Sequence, residues 1–493
     1  MLTSWKRAAL ALTVPVVLLA ASPVVTAQAA PAPTAAPAAV PAAVPAASPT
    51  APCDAISPIA IPCTAIGKTV DAVAAECRRV GVPDTLCRLP LAHDVTQAAR
   101  DAYLQSWTHR TAQFQYELGD ALAFHDAQWI GTHNSFNSLT SSFTLSHADS
   151  NQQLSLSQQL DLDVRSIELD LHFIPKVLGL LGPRVVTVCH GQGPEIFDLG
   201  CTTEPSFAKV LPEVASWLNA PGRADEVVLL YLEDNLQNPA AYASAVTTLD
   251  NVLKRPNGTS LIYKPDPAQK AANGCVPLPT GISRDDVRAT GARVVLVGGC
   301  ATGWAGSVFD WNSVHVEGGK TSAYRAFPAC DATYDASVYA GKLVRYFEDT
   351  TLVSNLLDPF RIPVNPEALS PEKVAAMTAC GVNVYGFYQL LPEDGRIQAT
   401  LWSWAPNEPV SANGACTKQG ADGRWYAADC TALLPAACAD GGTWTVTAPV
   451  AFADAAAACA SLGRTFEVPR AGDQNSRLHA AAGATGAWLN HTL

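Results

Sequence analysis

Val164-Arg165-Ser166-Ile167-Glu168-Leu169-Asp170-Leu171-His172-Phe173 is the stretch that decides the fold. Side chains alternate along a strand, so Ile167, Leu169 and Leu171 turn one way while Glu168 and Asp170 turn the other. The apolar face needs a helix to cover it. Two carboxylates on the opposite face need a proton, a partner or a cation. Comparable runs recur at Gln128–Gly131, Val185–His190, Glu226–Glu233, Arg293–Gly298 and Val382–Tyr388. Several are continuously apolar, as suits parallel strands covered on both faces. Strand and crossover repeated over residues 125–400 predict an α/β fold of the TIM (β/α) barrel type, about 250 residues in its usual form. A doubly wound open sheet has the same periodicity, which does not separate the two.

In a β/α barrel the chemistry gathers at the carboxyl ends of the strands. Four such ends carry polar residues: Gly131-Thr132-His133-Asn134-Ser135, Glu168-Leu169-Asp170, Val188-Cys189-His190 and Leu232-Glu233-Asp234. Taken singly, each has a plain reading as a hydrogen-bonded surface His, an ion pair with Arg165, or a solvated turn. Four on successive strands point to a site. Asn134, Glu168, Asp170 and Glu233 offer only oxygen, the donor set of a hard cation such as Ca²⁺. Zinc-type Cys and His spacing is absent around these strands.

His133-Asn134, Glu168-x-Asp170, His190 and Glu233 resemble, in that order, the X-region of the phosphoinositide-specific phospholipase C family. Asn after the first His, with the acidic pair on the next strand, is similar to its calcium-dependent, secreted bacterial branch. The resemblance covers Trp129 to Asn235 well and the rest of the barrel in outline. It implies a PLC-like barrel, a phospholipid substrate at a membrane surface, and attack of the inositol 2-hydroxyl on phosphorus. Diacylglycerol and inositol 1,2-cyclic phosphate would be the products. His133 would then stabilise the phosphoryl oxygens and His190 would protonate the leaving oxygen. Glu168 would act as both ligand and base. Arg165, Lys320 and Tyr388 are the expected substrate contacts, with Tyr385 the other candidate for packing on the inositol ring. Lys342 and Arg345 are further candidate contacts, each with a plainer reading as a solvated surface cation. The family's basic residues for ring phosphates have no match, so an unphosphorylated or glycosylated inositol lipid is expected. Another phosphodiesterase of the same barrel, cutting glycerophosphodiesters or sphingomyelin, is the alternative enzyme. A non-catalytic calcium- or glycan-binding protein is the alternative of a different class.

Outward from the barrel, Lys6 and Arg7 precede an apolar run and Ala27-Gln28-Ala29 fits a processing site. Residues 1–29 are therefore expected to be a signal peptide and the product extracellular. Residues 30–52, rich in Pro and Ala, read as an extended linker or a pro-segment. Residues 53–124 read as a helical lead-in, with apolar spacing over Thr69–Arg79 and Val95–Ala123. The Cys pairs 53–63 and 77–87 are one of the three pairings that four cysteines allow. Residues 401–493 form a Trp- and Cys-rich module that faintly resembles the second half of a C-type lectin domain, without its sugar signature. Glycan binding there stays open beside a plain aromatic core. Fourteen Cys in an exported chain predict disulfides, Cys189–Cys201 among them. The net charge of −12 excludes nucleic acid and electrostatic adsorption to anionic bilayers.

Overall fold

The structure, a computed structural model, describes residues 95–138, 151–177, 181–189, 205–304, 306–318, 324–330, 339–348, 369–392 and 394–493. The expected signal peptide, linker, helix Thr69–Arg79 and Cys pairs 53–63 and 77–87 lie outside these residues, as do His190, Cys201 and Lys320.

Among its described residues the lead-in has two helices, α1 (Gln97–Leu104) and α2 (Trp107–Gly119), where the sequence predicts one apolar stripe over Val95–Ala123. Ser106 breaks it, because its hydroxyl accepts from His109 N and caps α2. After α3 (Leu156–Asp161) come β1 (Ser166–Val177) and β2 (Leu181–Val188). Next are α4 (Phe207–Leu218), β3 (Val228–Asn235), α5 (Pro239–Val252), β4 (Ile262–Tyr263), α6 (Arg284–Ala289) and β5 (Val294–Gly298). Then follow β6 (Phe309–Asp310), β7 (His315–Glu317), β8 (Leu343–Phe347), α7 (Pro371–Ala379), β9 (Val384–Gly386) and α8 (Gly395–Ala399).

The first sheet runs β2-β1-β3-β5-β4, with β6 also on β5, and the second runs β7-β8-β9. Residues 129–132 join the two. Trp129 and Thr132 bridge Val384 and Phe387 on one side, and Gly131 bridges Ser166 on the other. Gly131 is required there, since a Cβ would meet the Tyr385 carbonyl oxygen at 2.2 Å. The result is a half-barrel sheet continued by a second parallel arc. Among the described residues, hydrogen bonding does not close it into the full barrel expected.

One expected parallel strand is corrected. Val185–Val188 belongs to β2, which pairs antiparallel with β1. β1 ends at Val177 and β2 starts at Leu181, too short a link for a crossover, which takes a dozen or more residues. β4, β6, β7 and β8 have no counterpart among the predicted strands.

Alternation along the parallel strands sorts the core. Ile167, Leu169, Val228, Leu230, Leu232, Val294 and Leu296 pack outward with Phe207, Leu211 and Val214 of α4 and Ala241, Ala245 and Leu249 of α5. The opposite faces, with Leu229, Val295, Val297, Leu343 and Val384, pack on Trp129, Phe309 and Trp311. Truncating one of these buried side chains costs about 2–5 kcal/mol. Further along the same inner faces stand Glu168 and Asp170 of β1, Tyr231 and Glu233 of β3, and Arg345 of β8. The interior is therefore apolar at its amino end and charged at its carboxyl end.

The C-terminal residues form two small antiparallel sheets. They are β10 (Cys416–Gln419), β11 (Trp425–Ala428) and β15 (Ala487–Thr492), and β12 (Ala437–Asp440), β13 (Thr443–Val446) and β14 (Thr465–Phe466). Cys416–Cys430 and Cys438–Cys459 close them. Trp402, Trp404 and Trp425 are buried against each other and against Phe114 of α2. Their faces are taken up by packing, so the glycan reading gains no support from them.

Candidate active site

Parallel pairing of β1 with β3 sets Glu168 opposite Tyr231 and Asp170 opposite Glu233. Glu168, Asp170 and Glu233 each offer a carboxylate oxygen within 4.8 Å of the others. Asn134 joins them from the strand end at Thr132. Its φ of 47° is in the left-handed region that Asn tolerates. One polar end of its amide lies 2.8 Å from Asp170 Oδ2 and the other 3.3 Å from the Tyr388 hydroxyl. With its nitrogen inward the amide donates to Asp170. With its oxygen inward it adds a ligand for a cation shared with the carboxylates.

The electrostatics test whether a metal fits. Burial pushes the Asp170 carboxyl well above the usual carboxylate range, and the charges of Glu233 and Glu168 push it the same way. Burial raises Glu233, with Glu168 adding to it. Burial also raises Glu168, against the pull of Arg345. Two buried acids and one half-buried acid thus face one guanidinium. An all-oxygen set of this kind suits Ca²⁺, which takes six to eight flexible oxygen ligands. The donor set fits the cation that the sequence implies.

His133 stands beside this cluster. Its Nδ1 donates to the Glu348 carbonyl at 2.5 Å, and its Nε2 faces Glu168 Oε2 at 3.8 Å. Tyr388 stacks on the imidazole with centroids 5.0 Å apart and planes 10° apart, and Phe347 meets it edge-on. Cys189 is disulfide-bonded, and its N–H donates to the Asp170 carbonyl at 3.1 Å. His190, next in the chain, is outside the described residues.

The expected site residues divide accordingly. His133, Asn134, Glu168, Asp170, Glu233 and Tyr388 come together. Tyr385 does not, because it turns outward and bonds Thr378 of α7. Arg165 also stands apart, on the outward face and at the amino end of β1. Glu226 grips it with two 2.6 Å bonds, and it lies over the Trp217 ring.

Arg345 is the largest departure from the sequence reading. It is buried, not solvated. Nη2 bonds Glu168 at 2.5 Å, Nη1 bonds Glu317 at 3.0 Å, and the guanidinium lies over the Phe347 ring. The signal was present: in Leu343-Val344-Arg345-Tyr346-Phe347, alternation places Arg345 with the inward Leu343. Glu348, Asp394 and Arg396, which lie behind His133, were missed as well.

An inner sheet face with carboxylates and an amide around a cation-sized space, flanked by a tautomer-fixed His, defines a phosphodiesterase-like site. Residues 88–394 match the family model described as the Rv2075c PI-PLC-like domain, and the chain belongs to that family. Over 492 residues it is 62% identical to "Uncharacterized protein Rv2075c" of Mycobacterium tuberculosis H37Rv, covering 99% of this chain and 98% of that protein. Similar solved structures include the phosphatidylinositol-specific phospholipase C from Listeria monocytogenes. That match has 15% identity and a TM-score of 0.37, and covers 59% of this chain and 97% of that one. A calcium-dependent phosphoinositol-specific phospholipase C from Pseudomonas sp. matches at 13% identity and a TM-score of 0.31, covering 56% and 94%. Four disulfides have both cysteines described: 275–300, 330–380, 416–430 and 438–459. No helix among the described residues is long and apolar enough to cross a membrane.

Proposed function

We propose that this chain is a secreted, calcium-dependent phospholipase C that cleaves phosphatidylinositol-type lipids. The observation that carries the reading is the cluster of buried Glu168 and Asp170 with half-buried Glu233 beside His133, in a member of a PI-PLC-like family. Asn134, Glu168, Asp170 and Glu233 would hold the calcium. When bound it supplies positive charge against the phosphoryl oxygens and favours ionisation of the attacking hydroxyl.

The chain's own groups divide the remaining work. His133, with Nδ1–H fixed on a carbonyl, turns Nε2 to the phosphoryl group, and in its imidazolium form the Nε2–H donates to a phosphoryl oxygen. Glu168, its pKa raised by burial, suits removal of the inositol 2-hydroxyl proton near neutral pH. The O2–P bond forms and the P–O bond to glycerol breaks. His190 gives that oxygen a proton, the role assigned to it from sequence. Arg345 is already committed to Glu168 and Glu317, which favours a headgroup without ring phosphates. In the same reading, residues 1–29 are removed on export, 30–52 are the linker, 53–124 the lead-in, 125–400 the catalytic part and 401–493 an accessory module.

Phosphorus NMR of the water-soluble product formed from phosphatidylinositol vesicles tests the mechanism. A cyclic phosphodiester resonance appearing first is the expected result. An open monoester as first product overturns attack by the 2-hydroxyl. Release of a free headgroup alcohol from other phospholipids would indicate the alternative phosphodiesterase.

A further inference from the structure

We infer that Glu348, locked by Arg396 and Asp394, is a positioning residue that fixes the tautomer and plane of His133; its effect on turnover rests on the proposed function. Arg396 and Glu348 are fully buried and Asp394 is 1% exposed. The Glu348 carboxylate accepts from Leu369 N at 2.8 Å, Tyr388 N at 2.7 Å and Arg396 Nη1 at 2.6 Å. Arg396 in turn bonds both carboxylate oxygens of Asp394 and the Tyr388 carbonyl. Both ends of this network reach the imidazole. At one end, the Glu348 carbonyl accepts from His133 Nδ1. At the other, the Tyr388 backbone is held through its N–H and its carbonyl, and its ring stacks on His133.

A carbonyl oxygen can only accept, so the hydrogen sits on Nδ1 and Nε2 becomes the working nitrogen. Free rotation of residue 348 would release that choice. Three donors on its carboxylate remove the rotation. Burying a guanidinium and two carboxylates is a poor way to gain stability, since apolar packing of the same volume does as well or better. Convergence on the two segments that touch His133 gives the network a use. Among the described residues it makes no hydrogen bond to Glu168, Asp170 or Glu233. Its loss should therefore leave the three carboxylates of the cation site in place, the Asn134 amide being reached only through its 3.3 Å contact with the Tyr388 hydroxyl.

The test compares the wild-type chain with Glu348→Ala and Glu348→Gln. Proton–nitrogen NMR of the His133 ring, calcium titration and turnover of phosphatidylinositol vesicles are the three readouts. Wild type should show a single Nδ1–H tautomer. Glu348→Ala should mix the tautomers and lower kcat about 100-fold, as a 1 Å misplacement can, with calcium affinity changed far less than kcat because the three carboxylates stay in place. Glu348→Gln sets its amino group against Leu369 N–H and should give a smaller loss in the same direction, about tenfold. It carries the test if the Ala variant fails to fold. A folded variant with wild-type tautomer and wild-type kcat overturns the inference. If the wild-type protein cleaves no phospholipid, the proposed function fails, and the tautomer readout alone still decides the role of Glu348.

Discussion

Arg345 Nη2 lies 2.5 Å from Glu168 Oε2, and both side chains are buried at the carboxyl end of the parallel strands. Glu168 is therefore shared between a fixed guanidinium and whatever cation enters the cluster. Arg345→Met leaves Glu168 buried without its partner. In chelator the variant should lose about 3–5 kcal/mol of stability at neutral pH, as when one member of a buried pair is removed. Calcium should restore much of that loss, because it replaces the missing charge. Chemical denaturation with and without calcium reads the difference.

Asp170→Asn removes one of three mutually repelling carboxylates, itself buried. Calcium affinity should fall at least about tenfold, as loss of a charged ligand in an oxygen site requires. The melting temperature in chelator should rise, because the repulsion is gone. Calorimetric titration and thermal melts of the same preparation check both halves.

The pH dependence follows from the raised pKa values of Glu168, Asp170 and Glu233. The folded, metal-free protein holds more protons on these groups than the unfolded chain. Their contribution to stability is thus full below the ordinary carboxylate range and is lost as pH rises through the folded values. Calcium binds the deprotonated form, so its stabilising effect has the opposite trend. The rise in melting temperature on adding calcium should be larger at about pH 7.5 than at about pH 5. Equal rises at both would contradict the assignment of these acids to the cation.

Arg165 gives a contrasting expectation. Its guanidinium is buried in a two-bond pair with Glu226, away from the cluster. Arg165→Met should cost about 1–3 kcal/mol, because Glu226 loses two short bonds and keeps only its 3.4 Å contact with Arg223. The folded fraction should keep wild-type KM and kcat. A rise in KM without loss of stability would return Arg165 to the substrate site.

How far the sequence was legible follows from these residues. The alternation in Ile167-Glu168-Leu169-Asp170 is a period-two signal, and it located the strand, its inner face and the acids correctly. Glu233 was found differently, as the acid ending an apolar strand and by the family resemblance. Arg345 was missed, because β8 is only a five-residue strand, too short for its alternation to stand out even with Gly341 marking the turn before it. An Arg taken alone reads as surface. Arg165 failed for the opposite reason: its sequence neighbours are the site, but the pleat turns it outward. β2 was read as parallel because periodicity carries no strand direction; the short link to β1 carries it. The network of Glu348, Asp394 and Arg396 links residues from separate elements. Only the folded chain brings them behind His133.

The central claim is most directly tested by diacylglycerol release from phosphatidylinositol vesicles by the mature protein, in calcium and in chelator, beside His133→Ala and Asp170→Asn. Calcium-dependent release, lost in chelator and reduced at least about 100-fold in both variants, is the predicted result. Release that persists in chelator, or that survives either substitution, would contradict the account.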